Sequence, residues 1–241
     1  MSGRLVIGPE PAASAEACAN HAMRLLERPL ADHRVATMAL SGGGTARLLF
    51  QKMLALDFPW NNVHFFWVDE RGVPPSDPAS NYGAAERDFL RPAGIPPDHV
   101  HRIRGELDPQ LAAAEYTREI RDFFQLREDE LPRFDVLHLG MGPDAHTASL
   151  FPGDPLIEDR NDIAAATYNR KFEQWRLTLL PGPLLSAAST VFLAAGADKQ
   201  EALRAVLKQP FDPMHYPAQL VERNGADVTW FVDQAAASSL G

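Results

Sequence analysis

The chain has 241 residues, of which 45% are hydrophobic and 23% charged, and a formal net charge of −9. That length buries a substantial core as one large α/β domain or two small ones, and the composition is ordinary for a soluble globular protein. The acidic balance, without a long basic run, excludes nucleic acid and anionic membrane surfaces as expected partners. An anionic metabolite stays compatible if Arg, Lys and backbone N–H groups outvote the global charge inside a pocket.

In chain order, "RLVI" (4–7) reads as a short strand and residues 12–31 as a helix, followed by the strand "VATMAL" (35–40) and the helix "ARLLFQKMLAL" (46–56). The strand "VHFFWV" (63–68) precedes helical stretches near 80–91 and 109–126. "FDVLHL" (134–139) is a strand, with a short helix expected near 145–151 that includes Ser149. "RLTLL" (176–180) and "TVFLAAG" (190–196) read as strands, "KQEALRAVL" (199–207) as a helix and "VTWFVD" (228–233) as the last strand. Several strands are almost continuously apolar, as expected when both faces are covered. The alternation predicts βαβ units with right-handed crossovers. The resulting α/β fold is a largely parallel, Rossmann-like open sheet flanked by helices, read as a single domain over 1–241.

The one cysteine, Cys18, excludes an intrachain disulfide and sits at helical apolar spacing, so it reads as a core thiol. The N-terminal "MSGRLVIGPEP" has too short an apolar run for a signal peptide, and no stretch approaches the roughly 18 apolar residues of a membrane span. A soluble, cytoplasmic protein is expected.

Polar motifs gather after strands. "SGGGT" follows 35–40, "DERGVPPSDPASN" follows 63–68, "GMGPDAH" follows 134–139 and "GADK" follows 190–196. In a parallel sheet such segments share the carboxyl edge, where ligands bind. Ser41, Gly42, Gly43, Gly44 and Thr45 form a glycine-rich strand-to-helix loop. Such a loop suits a phosphate through close backbone approach and free helix N–H groups, or is a plain turn with Thr45 as cap. It lacks the Gly-Lys-Ser/Thr of a Walker A loop. Asp69, Glu70 and Arg71 leave an apolar strand together, and an arginine fork there suits a phosphate or carboxylate. Ser80 and Asn81 either meet a ligand or cap the next helix.

"GMGPDAH" matches a loose G-x-G-x-x-A dinucleotide pattern through Gly140, Gly142 and Ala145, but the polar "PLIEDRNDI" follows where a ribose-binding acid should end the next strand. Neither H-E-x-x-H nor G-x-S-x-G is present, so no metal is expected and serine hydrolysis is poorly supported. His138 reads as a packed strand residue outside the chemistry. His146 reads as a general acid or base, histidine being the side chain best suited to proton transfer near neutral pH, with Asp144 two residues earlier. Arg176 and Thr178 share a strand face, and Lys199 opens a helix where a cation opposes the dipole.

"ALSGGGTARLLF", "FFWVDERGVPPSDPASNYG", "DVLHLGMGPDAHTASLFPG", "RLTLLPGPLLSAA" and "AAGADK" occur in the order found in 6-phosphogluconolactonases, and the sequence resembles that family from about residue 39 to 199. Three positions depart from its pattern: the usual Asp-Gly-His reads Asp144-Ala145-His146, and Gly44 and Ala46 replace a Ser and a Pro. The resemblance implies hydrolysis of 6-phospho-D-glucono-1,5-lactone to 6-phosphogluconate without a cofactor. It implies that Gly42, Gly43, Gly44 and Thr45 hold the phosphate, helped by Arg176 and Lys199, that Ser41 binds substrate beside them, and that His146 activates water. Arg71 then faces the phosphate or the developing oxyanion, and Asp69 and Asp144 orient the sugar hydroxyls or the histidine. Glucosamine-6-phosphate deaminases resemble the same fold, but their histidine motif continues into Phe-Asn-Glu, whereas this chain continues "TASLFPG". A non-catalytic phosphosugar-binding domain is the other alternative. The expected partner is a small phosphosugar lactone, and the expected assembly a monomer or weak homo-oligomer.

Overall fold

The computed structural model describes residues 3–32 and 34–240; Met1, Ser2, His33 and Gly241, which the single-domain and N-terminal expectations include, lie outside the described residues. Ten strands run β1 (Arg4–Gly8), β2 (Ala36–Leu40), β3 (Val63–Trp67), β4 (Asp69–Arg71), β5 (Val100–His101), β6 (Val136–Leu139), β7 (Ala164–Asn169), β8 (Gln174–Leu179), β9 (Ser189–Ala194) and β10 (Val228–Asp233). The α-helices are α1 (Pro11–Ala31), α2 (Gly44–Leu54), α3 (Asn81–Ala85), α4 (Pro109–Phe124), α5 (Pro181–Ser186), α6 (Gln200–Lys208), α7 (Ala218–Asn224) and α8 (Gln234–Ala237).

Seven strands form one sheet in the order β1-β10-β9-β6-β2-β3-β5, and every pairing in it is parallel. The continuously apolar strands are its interior: every residue of β2, β6, β9 and β10 is buried. At the β1 edge Leu5 and Ile7 are exposed. Helix α1 follows from Ala15, Cys18, Ala19, Ala22, Leu25 and Leu26, spaced three and four apart and all buried. Burial pushes the Cys18 thiol up, keeping it protonated and inert.

A second, three-stranded sheet in the order β4-β8-β7 is antiparallel. The expected strand at 176–180 belongs here and not to the parallel sheet. The two sheets meet at Val68, whose N–H donates to the Leu40 carbonyl at 2.9 Å and whose carbonyl accepts the Leu179 N–H at 2.7 Å. Tyr116 of α4 braces that junction: its hydroxyl accepts the Trp67 N–H and donates to the Trp67 carbonyl, each at 2.8 Å.

The helix expected near 145–151 does not form. Ala145 and Ala148 take φ of 63° and 49°, and Thr147 and Leu150 form an isolated antiparallel bridge. Left-handed residues cannot continue a right-handed helix. Ser149 therefore lies in a compact turn and not on a helix.

Candidate active site

From β2 the chain steps to β3 on one side, and from β6 to β9 on the other. The strand order thus reverses between β2 and β6, the place where open α/β sheets bind ligands. Loops from the carboxyl ends of β2, β6 and β9, together with β4, line one pocket of about 480 Å³.

The glycine loop is shaped by three different demands. Gly43 has φ +95°, conformation that only glycine takes without strain. A Cβ on Gly42 would collide with the Asn81 carboxamide, so the backbone and Asn81 are in direct apposition. A Cβ on Gly44 would meet nothing within 4 Å. Helix α2 starts at Gly44 without a side-chain cap, so Thr45 is a first-turn residue and not the cap. The first-turn N–H groups and the positive dipole end are the features that suit an anion.

Glu70, fully buried, organises the β4 side. Its carboxylate accepts the backbone N–H groups of Arg71, Asn81 and Tyr82 at 2.7–2.8 Å and the Ser80 hydroxyl at 3.0 Å. Burial pushes its carboxyl up, and these donors oppose that shift. Ser80 also accepts the Gly83 N–H as the cap of α3. With its hydroxyl committed at both ends and buried, Ser80 supports the site from behind and does not line the pocket, a correction to its expected substrate contact. Asn81 does line it and donates to the Asp69 carboxylate at 3.2 Å. Ser149 donates to the other Asp69 oxygen at 2.8 Å, a tie that reading it as a helix residue missed. Arg71 is anchored by the Ala79 carbonyl.

His146 faces this assembly from the β6 loop. Its Nδ1 lies 2.5 Å from an Asp144 carboxylate oxygen. A carboxylate only accepts, so Nδ1 carries the proton and Nε2 presents a lone pair. Nε2 has no hydrogen-bond partner among the described residues, and His146 lines the pocket. Burial raises the Asp144 carboxyl, but the hydrogen bond and charge of His146 outweigh it and hold it at about 2. A Cβ on Gly142 would strike both the His146 ring and the Asp144 carboxylate. Phe151 packs on the imidazole with ring centroids 4.5 Å apart. Asp144 itself does not line this pocket but a neighbouring cavity, together with Phe151.

Lys199 lines the pocket and pairs with Asp198 at 3.0 Å. Arg176 stands opposite Arg71 in the β4–β8 ladder, buried, with Nε and Nη1 lacking partners among the described residues. Burial and then the Arg71 charge pull its guanidinium down, while Asp69 and Glu70 oppose them. It lies behind the lining and contributes positive potential. The pocket thus gathers Ser41, Gly42, Gly43, Gly44, Thr45, Asp69, Arg71, Asn81, His146 and Lys199. Sequence reasoning missed Met141, Pro143, Leu48 and Pro11, which also line it; as apolar residues beside strands and helices they carry no chemical signal.

A glycine-rich loop at a helix N-terminus thus shares one pocket with an imidazole held by a carboxylate, at the switch point of a parallel sheet. That combination defines an α/β enzyme acting on a small anionic substrate. The chain belongs to the glucosamine-6-phosphate isomerase/6-phosphogluconolactonase family, whose model matches residues 9–230. A 6-phosphogluconolactonase of Synechocystis is 36% identical over 89% of this chain and 89% of that protein. A human 6-phosphogluconolactonase is 36% identical over 84% of this chain and 80% of its own length. The solved 6-phosphogluconolactonase of Trypanosoma cruzi superposes with a TM-score of 0.88 at 25% identity, covering 100% of this chain and 98% of that one. A monomeric glucosamine-6-phosphate deaminase shares the fold, with a TM-score of 0.83 at 19% identity.

Proposed function

We propose that this chain, as one α/β domain, hydrolyses 6-phospho-D-glucono-1,5-lactone to 6-phospho-D-gluconate, a step of the oxidative pentose phosphate pathway. The observation that carries the mechanism is the His146 tautomer: Nδ1–H is committed to Asp144, and Nε2 has no partner among the described residues, on a side chain that lines the pocket. Nε2 takes a proton from water as its oxygen attacks C1, giving a tetrahedral oxyanion. As the C1–ring-oxygen bond breaks, the imidazolium returns that proton to the ring oxygen, leaving an open-chain acid that ionises. The helix α2 N-terminus and glycine loop hold the phosphate, with Lys199 and the potential of Arg176. Arg71 stabilises the oxyanion or the phosphate. Asp69, fixed by Asn81 and Ser149, orients sugar hydroxyls.

The deaminase alternative is not favoured, because residues 147–151 after the histidine hold no carboxylate and the Thr147 hydroxyl is spent on the Gly140 carbonyl. A non-catalytic binding domain has no use for a carboxylate-fixed imidazole. Among the described residues no helix is long and apolar enough to cross a membrane. The cytoplasm is the compartment we propose, with a monomer or weak homo-oligomer as the working form. The test is acid release from freshly prepared 6-phosphogluconolactone in a pH-stat, run beside ammonia release from glucosamine 6-phosphate. Acid release above the spontaneous rate with no ammonia is expected; ammonia without lactone hydrolysis overturns the reading.

A further inference from the structure

His138, on β6, is a buried titratable group that the mechanism above does not use. Burial pushes its imidazole down to about 3, so the ring is neutral. Its Nδ1 accepts the backbone N–H of Ser41 at 3.3 Å. The proton therefore sits on Nε2, which is buried without a partner. Leaving a donor unpaired in the core is costly, and a leucine would fill the same space without that cost.

The position explains the choice. The β2–β6 ladder pairs Met38 with Val136 and Ala39 with Leu137 and extends no further. Ser41 is the first residue of the glycine loop, and its amide goes to the imidazole in place of a strand carbonyl. Two residues after His138 the same strand opens into the loop that carries Gly142, Asp144 and His146. A single side chain thus ties the start of the anion-binding loop to the root of the base-bearing loop, across the switch point.

We propose that His138 is a positioning residue, setting the separation between the phosphate cradle and the His146 base. This rests on the phosphate reading of the glycine loop. Reacting groups tolerate little misplacement, and only a substrate anchored through its phosphate is sensitive to this distance.

The test uses three variants of the full chain and two substrates, 6-phosphogluconolactone and unphosphorylated glucono-1,5-lactone. His138→Leu keeps volume and removes the acceptor. His138→Asn restores an oxygen at the same number of bonds from Cα as Nδ1 but leaves a void. His138→Gln moves the acceptor one bond further and substitutes for the leucine variant if that one does not fold. In wild type, kcat/KM is expected to favour the phosphorylated lactone. His138→Leu is expected to lower that preference at least about five-fold while turnover of glucono-1,5-lactone stays within about two-fold. His138→Asn is expected to recover the preference despite a lower Tm. A preference unchanged in His138→Leu, an equal loss for both substrates, or a preference that follows Tm across the variants overturns the inference. A wild type without any preference for the phosphorylated lactone instead overturns the phosphate reading, and this inference with it.

Discussion

The Asp144 carboxylate oxygen and His146 Nδ1 are 2.5 Å apart, and the absence of a side chain at Gly142 is what lets them meet. The geometry selects the tautomer with Nε2 unprotonated. Asp144→Asn offers an amide that can donate to Nδ1 instead, which moves the proton to Nε2 and removes the base. A fall in kcat of at least about 100-fold is expected, with KM for the phosphorylated lactone changed little. His146→Ala should lose roughly 100- to 10,000-fold in the same measurement.

Ala145 stands at φ 63°, buried, where the resembling motif has glycine. An alanine held there carries about 1 kcal/mol of strain. Ala145→Gly relieves it but gives up a buried methyl worth about 0.8 kcal/mol, so urea unfolding should find it within about 1 kcal/mol of wild type. Ala145→Val places a β-branched residue in the left-handed region and should cost more than about 2 kcal/mol.

Gly42 and Gly44 are separated by two positions and by mechanism. A methyl at Gly44 meets open pocket, so Gly44→Ala should leave Tm unchanged and weaken binding of 6-phosphogluconate in calorimetry. At Gly42 it meets the Asn81 carboxamide, which is also held by Asp69. Gly42→Ala should lower both Tm and binding, with an overpacking cost of about 1–3 kcal/mol.

Arg176 tests the source of the positive potential. Buried beside Arg71, with two unpartnered nitrogens, it is poorly placed for stability and well placed for an anion. Arg176→Ala should raise KM for 6-phosphogluconolactone by roughly ten-fold, through loss of a nearby buried positive charge and not of a contact, and leave KM for glucono-1,5-lactone within about two-fold. Equal losses for both substrates would remove Arg176 from the phosphate site.

His138 also makes a pH prediction. Its folded pKa of about 3 lies below the ordinary imidazole value of about 6.5, so between those values the unfolded chain binds the extra proton. The stability this neutral ring requires is therefore complete above about pH 6.5 and is lost as pH falls toward 3. The stability gap between wild type and His138→Leu, measured by urea unfolding, should shift toward the leucine variant by up to about 1.4 kcal/mol per pH unit on acidification.

The parallel sheet was legible because β2, β3, β6, β9 and β10 are covered on both faces and so read as unbroken apolar runs. The small sheet was not. β7, Ala164–Asn169, is mostly alanine and polar residues at intermediate burial, with no period to mark it. "AHTASLF" carries helix-forming alanines at 145 and 148, yet a turn wins because Thr147 bonds Gly140 and Ser149 bonds Asp69, contacts that no local propensity encodes. The site's charged and glycine residues were found because each follows a strand; Glu70's role was hidden because its four donors come from 71 to 82, in a loop whose shape the carboxylate itself creates.

Val68 gives the pocket a mechanical property. One residue joins the two sheets, bonded to Leu40 on the cradle side and to Leu179 on the arginine side. The small sheet carries Asp69 and Arg71 on β4 and Arg176 on β8, and it meets the glycine-loop strand at Val68. β7 lies on the far side of β8 from β4. Substitutions on β7 are therefore expected to reach the sugar and the phosphate together through β8, with the glycine loop itself unaltered.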